Sequence, residues 1–591
     1  MRRLIKRFIP NLKVNYIIIN LLCIIIVSSS NVSIAQNFES WNPGVHEDEK
    51  ITVTLFANVF KDYIEEFIKD YEKYRQTDSV GINYLDTTRF VKNDDVFEWM
   101  KNQIPYFDCP DDKFKEIYYF RWFVFQLHLK KRGDYFFVTE FLEKASWADI
   151  NNVINCPAGH HIYEGRWLDE PEYMNSYLKY YMFSSNVRPR QFKTWICDAA
   201  YQYYLIHPSQ IFLSDILNEL VNHWNLISEK YKTESYHGMY WGEDWMDGME
   251  YQIGGSGIRP SINAYLYGDA KSISKMAKIL GNAHIENKYD SIAVDIKENV
   301  QKYLWSEQAE FFLTYKNIEG WNWDEDMYKK KINPDKNWEQ IQQLYQLVDV
   351  RELIGYIPWY FNLPDNEGKY TQAWKFIKDA TMGFRAENGL STAEKSHPFH
   401  CRIRYRNNQQ GECCSDCPWD GPMWPFAETQ TLVALANVLN NYDQDVVTEE
   451  DYFYELEKYT HTQYQYYNNY PGPRPWIGQS ANYKGKDANG VAIWNLKNPN
   501  FYNHSGYCDL VISGLVGFRP QEDGSFSVNP LIPENKWDYF CLDGLKYRDK
   551  YITILYDKTG NKYNKGKGLQ IYIDGLLKAS APQLQKLKVV F

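Results

Sequence analysis

From about residue 50 to 517 the apolar residues of this chain recur every three or four positions, segment after segment, which constrains the fold more than any other feature. In 53–74, Leu55, Val59, Tyr63, Phe67 and Tyr71 share one face with charges between them, the pattern of an amphipathic helix. Segments 114–130, 192–206, 209–231, 260–280, 285–305, 351–361, 370–380, 424–442, 449–467 and 508–516 read the same way. Pro260 stands where its helix begins, because the missing N–H is an orphan at the first helical position anyway. Ten or more helices joined by long aromatic loops predict a mainly α fold, a toroid of paired helices. After Pro520 the period changes to short β-rich runs at 525–528, 537–542, 551–556, 569–573 and 587–591, separated by turns such as Asp543-Gly544 and Asp574-Gly575. The expected division is a leader over 1–35, a helical domain over 36–518 and a small antiparallel, β-sandwich-like domain over 519–591.

The leader is read as a signal peptide. Arg2, Arg3, Lys6, Arg7 and Lys13 precede an apolar run over 16–27, and Ser33 and Ala35 flank Ile34 as at a cleavage site that leaves Gln36 first. About a dozen apolar residues fall short of the ~20 a spanning helix needs. Export to the periplasm or beyond is expected, without a membrane anchor. The net charge is −11, and no Lys/Arg-rich run lies beyond the N-terminus, which argues against a nucleic-acid partner. Nine cysteines follow the leader, so at least one thiol stays unpaired. Cys401, Cys413, Cys414 and Cys417 lack the two spaced couples of a zinc site, so a disulfide among them is the expected use. No metal and no cofactor is expected.

The chemistry concentrates between helices. Residues 241–250 pack Glu243, Asp244, Asp247 and Glu250 beside Trp241 and Trp245, followed by Arg259. Carboxyl groups crowded beside apolar rings gain proton affinity, which is how one stays protonated as a general acid. Two further stretches read as loops lining a polar, aromatic cleft: 158–167, with His160, His161, Glu164, Arg166 and Trp167, and 419–426, with Trp419, Asp420 and Trp424. Rings make up 17% of the chain, and a flat ring is a platform for a sugar. The adjacent His160 and His161 lack i, i+4 spacing, which favours hydrogen bonding over metal ligation. Trp476, Gln479 and His504 follow near the end of the helical region. There is neither a G-x-S-x-G elbow nor an H-E-x-x-H motif.

The run Asp247-Gly248-Met249-Glu250, followed by Arg259-Pro260-Ser261-Ile262-Asn263-Ala264-Tyr265-Leu266-Tyr267, resembles the acid-bearing motif of the six-hairpin glycosidases of glycoside hydrolase family 63. Mannosylglycerate-hydrolase-like and trehalase-like enzymes are relatives of that family. Trp419-Asp420-Gly421-Pro422-Met423-Trp424-Pro425 resembles its W-x-G-P-x-W element, and 383–394 sits where such proteins carry a substrate loop. The likeness runs over about residues 150 to 520. It implies an (α/α)6 barrel and inverting hydrolysis of a glycosidic bond, by an acid and a carboxylate base ~6.5–9.5 Å apart. Glu250 matches the family's acid, with Asp247 the nearest substitute. At the base the sequence departs from the pattern, because the best counterpart is Gln479, an amide that takes no proton from water. Three readings stay open: the base lies elsewhere, a carboxylate such as Asp420 serves, or the protein binds glycans without cleaving them. The resemblance thus implies Glu250, Asp247 and Asp420 for catalysis. The polar, aromatic loops put forward His161, Glu164, Arg166, Trp245, Arg259, Trp419, Trp424, Trp476, Gln479 and His504 for binding a carbohydrate. Glu250, Arg259, His161, Arg166, Trp419, Asp420 and Trp424 are expected to line one pocket.

Overall fold

A computed structural model describes residues 38–42, 50–77, 88–185, 191–232, 237–317, 345–401, 418–466, 472–487, 489–494 and 500–590. The leader and Cys413, Cys414 and Cys417 lie outside them. Cys401 is disulfide-bonded, and Cys109, Cys156, Cys197, Cys508 and Cys541 are free thiols. Among the described residues no helix is long and apolar enough to cross a membrane, and no three His, Cys, Asp or Glu side chains group as metal ligands.

The longer helices are α1 (Lys61–Thr77), α2 (Val96–Gln103), α3 (Asp112–His128), α4 (Ala158–Gly165), α5 (Glu172–Phe183), α6 (Ile196–Ile206), α7 (Gln210–Tyr231), α8 (Pro260–Ile279), α9 (Ala283–Tyr303), α10 (Pro425–Asn441) and α11 (Glu449–Thr462). They pair as hairpins around a ring. The inner members α3, α4, α6, α8 and α10 are buried almost all round, and α1, α5, α7, α9 and α11 pack outside them. Short helical turns at Leu353–Tyr356, Ile357–Tyr360, Gly368–Thr371 and Gln372–Phe376 supply the remaining pair, and α11 closes the ring against α3. This is the (α/α)6 toroid.

Local sequence sets the ends. The Asp111 carboxylate caps α3 by accepting from the amides of Lys113 and Phe114, and Pro260 and Pro425 open α8 and α10. Thr448 and Asp451 form a capping box on α11. The stretch 158–167, expected as a loop, is mostly helix α4. Its polar residues misled the reading: in an inner helix buried on every side they bond to other parts of the protein. Gly159 lets α4 approach the buried Trp195 closely, since a Cβ there would lie 2.2 Å from the indole. Gly159→Ala is therefore expected to cost about 1–3 kcal/mol in chemical denaturation, from overpacking a core that cannot yield.

The C-terminal layer consists of two antiparallel sheets. Strands are β1 (Tyr106–Asp108), β2 (Leu129–Arg132), β3 (Tyr135–Val138), β4 (Phe518–Pro520), β5 (Phe526–Val528), β6 (Tyr539–Tyr547), β7 (Lys550–Asp557), β8 (Gly568–Ile573), β9 (Leu576–Ala581) and β10 (Leu587–Val589). One sheet runs β1-β6-β7-β8-β9 and the other β4-β5-β10, while β2 and β3 form a hairpin at the helical ring. Sequence reading found β5, β6, β7, β8 and β10, and it missed β1, β4 and β9. The register sets Phe107 opposite Leu542, Leu542 opposite Ile554 and Ile554 opposite Ile571, a buried apolar row across four strands. Asp543 ties the N-terminal segment to this sheet by accepting from the amides of Val53, Thr54 and Leu55.

Candidate active site

The turn ahead of α10 folds Trp419 back onto Trp424, with ring centroids 3.9 Å apart and planes 13° from parallel. The Trp424 indole N–H donates to the Pro418 carbonyl at 3.0 Å, which fixes its orientation. The Trp419 amide donates to the Glu250 carbonyl at 3.1 Å, so the acidic loop runs along this wall and Asp420 is its neighbour. Glu250 is half-buried. The next residue, Tyr251, has a left-handed backbone with φ of 54°, the kind of strain that concentrates at functional sites. Phe426, in the first turn of α10, packs edge-on against Trp419 at 5.9 Å and against His160 at 4.8 Å, and its centroid lies 6.1 Å from that of His504. His504 also lies 6.2 Å from Trp424. The loops carrying Trp476 and His504 run side by side: the Tyr502 amide donates to the Ile477 carbonyl, and His504 Nε2 meets the Gln479 carbonyl at 3.2 Å. Gln479 is half-buried and Trp476 buried. Glu250, Trp419, Asp420, Trp424, Trp476, Gln479 and His504 therefore gather in one place.

Sequence reasoning missed a further carboxyl there. Glu140 follows β3, is 6% exposed, and its Oε1 accepts from the Tyr502 hydroxyl at 2.8 Å. Tyr502 in turn meets His504 edge-on at 4.6 Å. Burial pushes the Glu140 carboxyl up to about 8, and the nearby charge of Glu250 adds to this. Contacts thus run from the Glu250 carbonyl through Trp419, Trp424, His504 and Tyr502 to Glu140. Burial, with the Arg121 charge next, lowers His504 to about 3, so its imidazole is neutral. With Nε2 assigned as the donor to Gln479, Nδ1 is left as an acceptor. Three buried polar atoms of this cluster have no hydrogen-bond partner: Glu140 Oε2, His160 Nε2 and His504 Nδ1.

The remaining expected site residues hold the scaffold. Arg259 is 0% exposed, and its guanidinium spans the acidic loop. Nε and Nη2 donate to the two oxygens of Asp247 at 2.9 and 3.0 Å, and Nη1 donates to Asp244 and to the Gly255 carbonyl, each at 2.8 Å. Ser261 and the Met249 amide occupy the other acceptor positions of Asp247. Both oxygens of Asp247 are thus taken by protein partners, which places it in the support of the loop and corrects the expectation of a catalytic Asp247. Trp245 donates to Glu243 at 2.8 Å and packs edge-on against Phe192 at the outer side of the loop.

Three further expectations are corrected. His161 has both ring nitrogens engaged, with the Tyr177 hydroxyl at 3.1 Å and the Asn503 carbonyl at 2.6 Å, and burial lowers it to about 4. Glu164 accepts from the amides of Tyr507, Cys508 and Asp509 and so caps the π-helical turn Leu510–Leu515. Arg166 donates to Asp509 at 2.7 Å and lies over the rings of Tyr163 and Trp167. It lines a separate cavity of about 580 Å³, with Asp198, Lys271, Lys275 and Arg519, where none of the clustered residues appears. Of the seven residues expected to line one pocket, Glu250, Trp419, Asp420 and Trp424 lie together, while Arg259, His161 and Arg166 lie in the supporting structure. Buried polar groups of this kind look like ligand-binding residues in sequence, because both must be satisfied by precise partners.

Residues 150–474, more than half of the chain, match the profile of the mannosylglycerate hydrolase MGH1-like glycoside hydrolase domain. The chain belongs to this family. Residues 518–576 of this MGH1-like protein match the C-terminal domain of glycosyl hydrolase family 65. A solved structure named sialidase is 34% identical, with a TM-score of 0.77 over 91% of this chain and 45% of its own. The chain thus spans less than half the length of that relative. Two others are 10% identical: a mannosylglycerate hydrolase of Thermus thermophilus, TM-score 0.38, over 54% of this chain and 87% of its own, and a family 78 rhamnosidase of a Bacillus species, TM-score 0.45, over 79% and 41%.

Proposed function

We propose that this MGH1-like protein is an exported glycoside hydrolase that cleaves a glycosidic bond of an oligosaccharide or glycan fragment, with inversion and with Glu250 as general acid. The observation that carries the reading is the set of three buried, unpartnered polar atoms, Glu140 Oε2, His160 Nε2 and His504 Nδ1, in the cluster of side chains that includes the stacked Trp419 and Trp424. Each unpaired atom costs about 1–3 kcal/mol, and a fold tolerates three together where sugar hydroxyls satisfy them. The stacked indoles supply the apolar platform for a sugar face.

In the proposed reaction the Glu250 proton passes to the leaving oxygen as the bond to the anomeric carbon breaks, and water adds from the opposite face. A neutral sugar fits better than an acidic one. The guanidinium groups of Arg121 and Arg259 are engaged by Gln463, Ser505, Asp244 and Asp247, so neither is free to pair with the carboxylate of an acidic sugar. A sialidase, as the long relative is named, would favour the acidic class, so the substrate panel includes both.

The test is incubation with neutral and acidic oligosaccharides, with proton NMR of the first anomer formed. Release of the opposite anomer from a neutral glycan is expected. First release of the retained anomer would overturn inversion, and binding without cleavage of every member would leave a silent glycan-binding protein.

A further inference from the structure

We propose that Trp147 is an outer sugar platform at the rim of the cleft, and that the glycan bound there is a chain long enough to lay a further unit on this indole. The inference rests on the hydrolase reading for the glycan in the cleft, and on the placement of Trp147 for the platform. Trp147 is 54% exposed, whereas the other tryptophans among the described residues are buried or half-buried. A lone exposed ring needs no explanation by itself. This one is held in place by its loop and stands at the end of a run of rings that leads out of the site.

The loop, 139–157, is tied internally. Asn152 is buried at its centre with a left-handed φ of 66°, and its side-chain amide donates to the carbonyls of Phe141 and Glu143 at 3.1 and 2.8 Å. Its Oδ1 accepts from the Ala145 amide at 2.8 Å. Lys144 Nζ donates to the Asp149 carbonyl at 2.7 Å, and the Asp149 carboxylate accepts from the amides of Asn151 and Val153 and from the Tyr180 hydroxyl. These bonds bracket 145–149, so the indole is presented before any ligand arrives and little ordering is left for binding to impose.

The same loop belongs to the mouth of the cleft. At its start the Glu140 carbonyl accepts from the Asn503 amide at 3.1 Å, one residue from His504. At its end Cys156 packs on the acidic loop, where a Cβ on Gly248 would lie 2.5 Å from the thiol sulfur, two residues from Glu250. Between these anchors a run of edge-on ring contacts goes outward: Tyr502 meets His504 at 4.6 Å, Phe141 meets Tyr502 at 5.3 Å and Trp147 meets Phe141 at 5.6 Å. Exposure rises along the run, from the buried His504 and Tyr502 through the half-buried Phe141 to Trp147. The run therefore leads from the clustered residues to solvent. A flat indole at that point offers an apolar face to the C–H side of a sugar ring, whose hydroxyls stay in water.

The test follows calorimetric binding and hydrolysis of malto-, manno- and cello-oligosaccharide ladders of rising length. In the series that binds, affinity is expected to rise about three- to tenfold once the chain reaches the rim, the worth of one aromatic stacking contact. Trp147→Ala, a surface change that spares the fold, should erase this gain, acting on Kd and KM rather than on kcat. Trp147→Phe should keep most of it and Trp147→Leu should lose it, because stacking needs a flat ring and not merely apolar surface. Ile150, in the same loop and 61% exposed, is the control, and Ile150→Ala should keep the whole gain. The platform is overturned by an affinity that ignores length, by equal losses on the shortest and longest members in Trp147→Ala, by a Leu variant as good as Phe, by the same loss in Ile150→Ala, or by binding of none of the ladders. Length-dependent binding through Trp147 without cleavage would uphold the platform and end the hydrolase reading, whereas cleavage indifferent to Trp147 would do the reverse.

Discussion

Glu250→Gln is expected to lower kcat by about 10²- to 10⁴-fold, the usual worth of a positioned proton donor, with KM little changed. The amide matches the carboxyl in size and keeps its hydrogen-bonding reach, but it has no proton to give to a leaving oxygen. The backbone bond between Glu250 and Trp419 does not involve the side chain, so the wall should survive the change. A substrate with a good leaving group, such as a nitrophenyl glycoside, needs less protonation and should lose less rate than a natural oligosaccharide. Steady-state kinetics on both substrates reads this difference directly. Full turnover in the Gln variant would refute the assignment of the acid.

Arg259→Met is expected to destabilise the protein by about 3–5 kcal/mol, because it leaves a buried anion without its cation. The Asp247 side chain is 0% exposed and relies on two guanidinium nitrogens, with Asp244 and two backbone carbonyls sharing the rest of the group. Urea unfolding should show a lower midpoint with an unchanged slope, the mark of a stability change in a native-like fold. Adding Asp247→Asn should restore part of the loss, since the stranded charge goes with its partner. Activity should fall as well, because the clamped loop is what carries Glu250 to the Trp419–Trp424 wall. An Arg259→Met protein as stable as wild type would show that the loop holds its shape without the clamp.

The helices that the sequence revealed are long and periodic: α1, α3, α7, α8, α9 and α10 each offer several turns of repeated apolar positions, and tertiary packing had only to trim their ends. Helix α4 escaped because its eight residues are buried all round, so the usual contrast of apolar and polar faces is missing. Strand β1 escaped because three residues between helices carry no alternation, and only the distant β6 makes them a strand. At the site, Glu250, Trp419 and Trp424 were legible as motifs, since a turn that stacks two indoles and a loop dense in acids each have a local signature. Glu140 has none. It is a single Glu after a short strand, and its chemistry comes from Tyr502, 362 positions away, and from Glu250. His161, Glu164, Arg166 and Arg259 were over-read for the opposite reason: their residue types suggest ligands, while their partners are other parts of the chain.

The C-terminal sheet takes its edge strand from Tyr106–Asp108 and holds residues 53–55 through Asp543. This stitching has a consequence for the order of events during synthesis. A chain emerging from its N-terminus exposes β1 with its apolar Phe107 long before β6 exists to pair with it, and more than 400 residues must follow before Asp543 can accept those three amides. The first helical hairpin can collapse early, because its contacts are local, but it cannot be locked until β6 and Asp543 have been made. A strand made more than 400 residues before its partner is thus slow to become protected, which leaves the unpaired β1 edge as a place where a chaperone, a protease or a second unfinished chain would take hold.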